Sequence, residues 1–358
     1  MIAKLLAGVA SAGMILFLGG LAYRNLRQRW ATQILEIHHP NKIVEGHYIM
    51  IGGIEQWIQI RGENRENPVL LILHGGPGWP NTTFTVPLRS WEKYFTLVQW
   101  DHRGAGKTLG RSGRQDEKNM TFACRVSDAV ELAEYLCQYL SKEKLIVLAE
   151  SMGTLTGLPL VQQRPDLFSA IVVTDLYVDV ARNEAHKYQL TKERLAELGN
   201  ARGVAAFERI GPDPKGWDLH AWNVNMAWAF KTNLPTPNLD RFLLFPLVLF
   251  SPLYSLRDLY NLFAGFQTST AQMFEEIKAF DARRLGTSFD IPFFLFQGEQ
   301  DVITLTGLAE EYFAEIEAPL KVKERIPNAG HFAAFTQPDA FLNALRTWVI
   351  PAAGVDAA

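Results

Sequence analysis

Three side chains suited to acyl transfer lie far apart in the chain, each where an apolar run gives way to a loop. Ser151 stands in Leu145-Ile-Val-Leu-Ala-Glu-Ser-Met-Gly-Thr-Leu-Thr-Gly157, Asp301 in Gln297-Gly-Glu-Gln-Asp301, and His331 in Asn328-Ala-Gly-His-Phe332. Cleaving an acyl bond takes a nucleophile, a base matched to neutral pH, a group that orients the base, and donors for the developing oxyanion. In that scheme Ser151 attacks the carbonyl carbon, and His331 takes its proton and returns it to the leaving group. Asp301 holds the imidazole tautomer and stabilises the imidazolium. Ala149 and Gly153 flank the serine at the spacing of a Gly-x-Ser-x-Gly elbow, with a methyl group where the first glycine would be. A glycine-rich loop, His74-Gly-Gly-Pro-Gly78, lets backbone N–H groups approach a ligand closely. Gly76 and Met152 are the expected oxyanion donors. Two rivals are weaker: Asp290 precedes its strand instead of following it, and Ser151 as a plain helix cap leaves the other groups unexplained.

The elements that must position these groups read as alternating strands and helices. Val69 to Leu73, Thr96 to Trp100, Leu145 to Ala149, Ala170 to Thr174 and Phe293 to Phe296 are short apolar runs of the kind buried on both faces in a parallel sheet. Tyr48 to Arg61, broken at Gly52-Gly53, reads as a hairpin, and Lys321 to Ile326 as the last strand. Thr121 is placed to cap a helix through Leu140, and helices are expected over Leu305 to Ile316 and Asp339 to Val349. From about Asp175 to Asp290 the alternation is replaced by a helical pattern rich in tryptophan and phenylalanine.

The His74–Gly78 loop, Asp101-His-Arg-Gly-Ala-Gly106, the Ser151 elbow, the Asp301 loop and the Gly330-His331 pair, in that order, resemble the proline iminopeptidase branch of the α/β-hydrolase superfamily. The resemblance covers roughly residues 46 to 350 and implies an α/β fold: a mostly parallel sheet flanked by helices, with a helical cap inserted over the site. It divides the chain into core residues 46–175, a cap over 176–290 and core residues 291–350. His102 and its turn are expected to be structural, and His74 to brace its loop. Aminopeptidases of this branch hold the substrate's amino group with acidic cap residues and often carry a tryptophan after the nucleophile. Here Met152 follows it, and Glu184 or Glu208 is left to hold an amine, with Trp222 as an aromatic contact.

Residues 1–34 form a separate module. Leu5 to Tyr23 is uncharged and mostly apolar, close to the length of a bilayer-spanning helix, and Arg24, Arg27 and Arg29 follow it. That pattern predicts a single-pass anchor over residues 5–23 in the lipid bilayer, with the catalytic domain on the cytoplasmic side. A signal peptide cleaved near Gly20-Leu21-Ala22 is the rival. In the cap, the apolar stretch Phe242 to Leu256 is short for a span and carries Pro246 and Pro252, which suits cap core or a pocket wall.

With 358 residues, 48% of them hydrophobic, the chain can bury a large core. A net charge of −3 argues against nucleic acid as a partner. Cys124 and Cys137 fall about 20 Å apart on one expected helix, too far for a disulfide. No metal-binding signature is present and no cofactor is expected. The leading reading is a membrane-tethered serine hydrolase acting on a small apolar ester or amide, or on a short peptide. The alternatives are a true prolyl aminopeptidase, and a receptor or scaffold for which a complete triad has no use.

Overall fold

The computed structural model describes residues 2–113, 120–232 and 241–354, with the side chains of 2–12 and 241–244 excluded. After the N-terminal helix α1 (Ile2–Ile34) come β1 (Ile43–Ile51), β2 (Ile54–Gly62), β3 (Val69–Leu73) and β4 (Thr96–Asp101). Next are α2 (Gly106–Ser112), α3 (Phe122–Leu140), β5 (Leu145–Glu150), α4 (Thr154–Gln163) and β6 (Phe168–Thr174). A helical insertion follows: α5 (Val180–Glu197), α6 (Ala201–Ile210), α7 (Leu219–Lys231), α8 (Arg241–Leu249) and α9 (Leu256–Lys278). The chain then closes with β7 (Phe293–Gly298), α10 (Thr306–Glu315), β8 (Lys321–Ile326), α11 (Ala333–Thr336) and α12 (Pro338–Ala344).

The strands form one sheet in the order β1-β2-β4-β3-β5-β6-β7-β8. The hairpin β1–β2 joins antiparallel to β4, and every later pairing is parallel. β5 lies near the middle and is buried along its whole length. Its alternate side chains feed opposite cores: Leu145, Val147 and Ala149 pack with α3 and α4 on one face, Ile146 and Leu148 with Phe84, Trp91 and α12 on the other. This two-sided burial is the physical reason for the unbroken apolar run. Thr121 caps α3 by accepting from Cys124 N at 3.1 Å, as its place ahead of the helix predicts.

The insertion has its own small core, in which Tyr177, Tyr188, Phe207, Trp217 and Trp222 pack with Met273, Phe274 and Ile277. Met152 and Leu155, just after the elbow, belong to the same cluster, so the insertion rests on the site.

Helix α1 is joined to this layer. Arg24 Nε and Nη2 donate to Leu249 O at 3.0 Å and Tyr254 O at 2.7 Å, and Gln28 Nε2 donates to Ser251 O at 2.7 Å. Arg24, read from the sequence as part of a topology-setting charge cluster, is therefore a buried docking residue. The single span expected over residues 5–23 is not supported: among the described residues no helix is long and apolar enough to cross a membrane. Part of that run, residues 5–12, lies outside the described side chains.

The elbow itself depends on three close approaches. A Cβ at Gly153 would collide with the carbonyl oxygens of Leu73 and His74, and one at Gly75 would lie 2.7 Å from Ser151 Cβ. At Gly157 it would lie 2.6 Å from Ala149 Cβ. Gly157 thus makes the room that Ala149 uses in place of the usual glycine. Gly→Ala inside a helix ordinarily gains about 1 kcal/mol. Here we expect Gly157→Ala to destabilise the protein by about 1–3 kcal/mol, because the clash is with a methyl fixed to the strand backbone. Ala149→Gly should recover most of that loss in the double variant, and a denaturant-unfolding cycle over the four proteins measures the coupling.

Candidate active site

Ser151 sits at the end of β5 with φ +52°, a left-handed conformation that a non-glycine residue adopts at a cost of about 1–3 kcal/mol. The turn continues into α4, and Thr154 Oγ1 donates to Ser151 O at 2.6 Å. His331 lies in the loop between β8 and α11, and Asp301 in the loop after β7. The structure brings the three side chains together: His331 Nε2 is 3.1 Å from Ser151 Oγ, and His331 Nδ1 is 2.9 Å from Asp301 Oδ2. All three residues are buried. Asp290, the rival acid, is exposed at the surface.

Asp301 is held from every side. Its Oδ1 accepts from Ile303 N at 2.8 Å and Thr304 N at 3.0 Å. Its Oδ2 accepts from Thr304 Oγ1 at 2.6 Å and Gln297 Nε2 at 3.1 Å, besides facing the imidazole. A carboxylate so fully bonded can only serve the histidine in one orientation. Burial disfavours the imidazolium of His331, but Asp301, and behind it Asp175, more than offset that, so its pKa is raised above the ordinary histidine value.

Asp175 and Glu150 are site residues that the sequence patterns do not single out. Asp175 follows β6 as Asp301 follows β7, and strand ends on this side of a parallel sheet are where sites are built. It has φ +51°, and its Oδ2 accepts from Phe332 N at 3.0 Å, which fixes the backbone next to His331. Its other oxygen is 4.0 Å from His331 Nδ1 and makes no hydrogen bond. Burial, with Asp301 and Glu150 nearby, pushes this carboxyl well above the usual carboxylate range, against the pull of His331. Asp175, Asp301 and His331 form the one metal-compatible group among the described residues, but His331 Nδ1 and Asp301 Oδ2 are engaged with each other, which suits proton handling better than a cation.

Ser151 and His331 open on a cavity of about 560 Å³, within the size range of small-molecule sites. Gly76, Met152 and Trp222 border it, as do Trp79, Phe84, Met226 and Phe230. Phe245 and Val248 of α8 and Phe266 of α9 complete the wall on the side of the insertion, so the Phe242–Leu256 stretch supplies a pocket wall. Glu184 does not border the cavity. It is fully buried in a salt bridge to Lys187 at 2.6 Å and accepts from Asn225 Nδ2 at 3.0 Å, so its carboxylate is already occupied. Glu208 is a surface residue 3.8 Å from Lys192.

His74 and His102 are buried and stacked on one another with ring centroids 3.8 Å apart. Burial lowers the His74 pKa to about 3, so it is a neutral bracing ring. Asp101 accepts from Thr82 Oγ1 at 2.5 Å, from Lys107 N at 2.9 Å and from the Tyr254 hydroxyl, which makes its turn a structural tie to the insertion.

A family model of the alpha/beta hydrolase fold matches residues 68–338. The chain is 30% identical over 304 residues to a probable aminopeptidase of Bacillus subtilis, covering 83% of this chain and 93% of that protein. Among solved structures it is similar to a proline iminopeptidase-related protein from Thermus thermophilus, with TM-score 0.62 and 21% identity over 87% of this chain and 98% of the other. It is also similar to a membrane phospholipase A described as a bacterial virulence factor, with TM-score 0.62 and 14% identity over 98% of both chains. At these identities the two structures speak for the fold. The matched family and the Bacillus relative identify this chain as a member of the α/β-hydrolase fold family and a hydrolase.

Proposed function

We propose that the chain is a membrane-tethered serine hydrolase that cleaves an ester or amide bond of a small molecule with an apolar acyl group, through an acyl-enzyme. The observation that carries this reading is the hydrogen-bonded series Ser151, His331, Asp301 opening directly on an apolar cavity. His331 Nε2 accepts the Ser151 proton as Oγ bonds to the carbonyl carbon, and it protonates the leaving oxygen or nitrogen as the acyl bond breaks. Water then enters, gives its proton to the same nitrogen, and releases the acid as the proton returns to Ser151. The N–H groups of Gly76 and Met152 are the proposed oxyanion donors. No cofactor takes part in this scheme.

Tethering is proposed from α1. Met14, Ile15, Leu16, Phe17 and Leu18 are each more than half exposed, and the contacts that dock the same helix begin at Tyr23 and Arg24. Phe245 and Phe266 line the cavity yet stay exposed, so its mouth is apolar as well. The name of the phospholipase A agrees with a lipid-facing acyl substrate, that of the Bacillus protein with an aminopeptidase. For a prolyl aminopeptidase the expected cap acid Glu184 is spoken for, so that reading must find its amine-binding group elsewhere.

A fluorophosphonate probe should label the wild type and leave Ser151→Ala unlabelled, with turnover of p-nitrophenyl esters lower by on the order of 10⁴-fold or more. An unlabelled, folded wild type sinks the catalytic reading. Because the base acts as neutral imidazole and its pKa is raised, kcat/KM should fall as pH drops, with the midpoint above about 6.5. Asp301→Asn removes the charge that raises it, so the residual activity, about 10⁴-fold lower, should show an acid limb shifted to lower pH. The full chain should float with lipid vesicles in a density gradient, and a chain lacking residues 2–20 should stay at the bottom. Equal partition of the two defeats the tether.

A further inference from the structure

The cavity wall is mostly aromatic and aliphatic, and its one carboxyl is that of Glu150. The residue is only 2% exposed. Asn81 Nδ2 donates to its Oε2, and Asn81 is fixed in turn because Gln99 Nε2 donates to its carbonyl at 2.8 Å. No lysine or arginine lines the cavity, and no cation is among the groups that act on Glu150. A carboxyl kept in an apolar wall without a counter-charge is costly to maintain, unless a ligand brings the partner.

The surroundings select the sign of that partner. Asp301 is committed to His331 and Asp175 to the Phe332 N–H, so the carboxyl left at the cavity is that of Glu150, which favours an incoming cation over an incoming carboxylate. Trp79 and Phe266, which border the cavity, are rings of the kind that attract a cation, while Trp222 already has the Lys187 ammonium 5.5 Å from its ring centroid. Burial pushes the Glu150 carboxyl up to about 7, with the Asn81 hydrogen bond working the other way, and an arriving ammonium favours its ionised form. Position fixes the rest. Glu150 and Ser151 are consecutive and both border the cavity, so one small substrate can meet both residues.

We infer that Glu150, steadied by Asn81, is a subsite for a protonated amine on the acyl part of the substrate, so that the enzyme takes α- or β-aminoacyl esters and amides with apolar side chains. This rests on the reading of Ser151 as nucleophile. It moves the amine-binding acid from the cap, where Glu184 is paired, to the end of β5.

The test compares three p-nitroanilides of one skeleton: leucyl, 4-methylpentanoyl, which lacks the amine, and N-acetylleucyl. A fourth, 4-carboxybutanoyl, carries the opposite charge. Wild type should favour the leucyl compound by about 10–100-fold in kcat/KM, the usual reach of a hydrogen bond to a charged group. In Glu150→Gln, which keeps shape and the Asn81 contact, that preference should shrink to within about threefold of unity, thermal unfolding showing whether the variant is folded. A measurement on wild type alone stands beside it: 3-methylbutylamine should inhibit competitively and 3-methylbutanol much less. Equal turnover of leucyl and 4-methylpentanoyl compounds, preference for the carboxylate, or a preference that survives in Glu150→Gln overturns the subsite. If fluorophosphonate labels Ser151 in the same preparation, the hydrolase reading stands despite that result; if it does not, both fall together.

Discussion

The structure turns on one strained residue. Ser151 holds a left-handed backbone between a strand buried on both faces and a helix that starts three residues later. A local cost of about 1–3 kcal/mol persists only where the surroundings leave no relaxed alternative. Here they do so through backbone contact: Gly153 lies against the carbonyls of Leu73 and His74, Gly75 against the serine's own Cβ, and Gly157 against Ala149. β3 and β5 pair in parallel from Leu70 with Ile146 to Leu73 with Ala149, so the loop after β3 arrives beside the elbow as a consequence of sheet register. The glycine loop and the serine are therefore one construction, and neither can be moved without the other.

Electrostatics impose the second constraint. One imidazole stands among buried carboxyls that are satisfied to different degrees. Asp301 has every oxygen engaged, Asp175 has one oxygen on the Phe332 N–H and one without a partner, and Glu150 has only Asn81. The unevenness has a physical reading: Asp301 orients the base, Asp175 fixes the loop that carries it, and Glu150 is turned toward the cavity. Like charges this close push one another toward neutrality, so a cation entering the cavity relieves a stress that the folded chain carries when empty.

Much of this was legible in the sequence because the relevant signals are local. Unbroken apolar runs mark strands covered on both sides, and β3, β4, β5, β6 and β7 all contain the runs that announced them. The positions of Asp301 and His331 follow from chain order and loop placement, which a motif preserves over a separation of 180 residues between the serine and the histidine. What escaped depends on partners far along the chain. Lys187, one helical turn on, is a local partner of Glu184, but nothing near Glu184 reveals that Asn225 closes over its carboxylate as well. Nor does the sequence around Arg24 disclose that Leu249 and Tyr254 supply its acceptors, which is why an apolar run followed by arginines read as a topology signal alone. Glu150 was hidden differently. It sits inside the elbow motif, whose pattern leaves that position open, although a carboxyl ending an otherwise apolar strand is a signal of its own.

The docking of α1 joins two features that the sequence kept apart. The carbonyls that receive Arg24 and Gln28 belong to residues 249, 251 and 254, at and just past the end of the helix whose Phe245 and Val248 wall the cavity. Tyr23 packs edge-on against Phe250 at 5.5 Å, and Arg27 lies 5.1 Å over the same ring. Tyr254 then reaches Asp101 at the end of β4, so the tie runs from the N-terminal helix through the cavity wall into the central sheet. A force or a partner acting on the exposed apolar half of α1 is thereby applied to the segment that shapes the mouth of the site. In this arrangement the N-terminal helix braces the segment that follows the pocket wall, although none of its own residues lines the cavity.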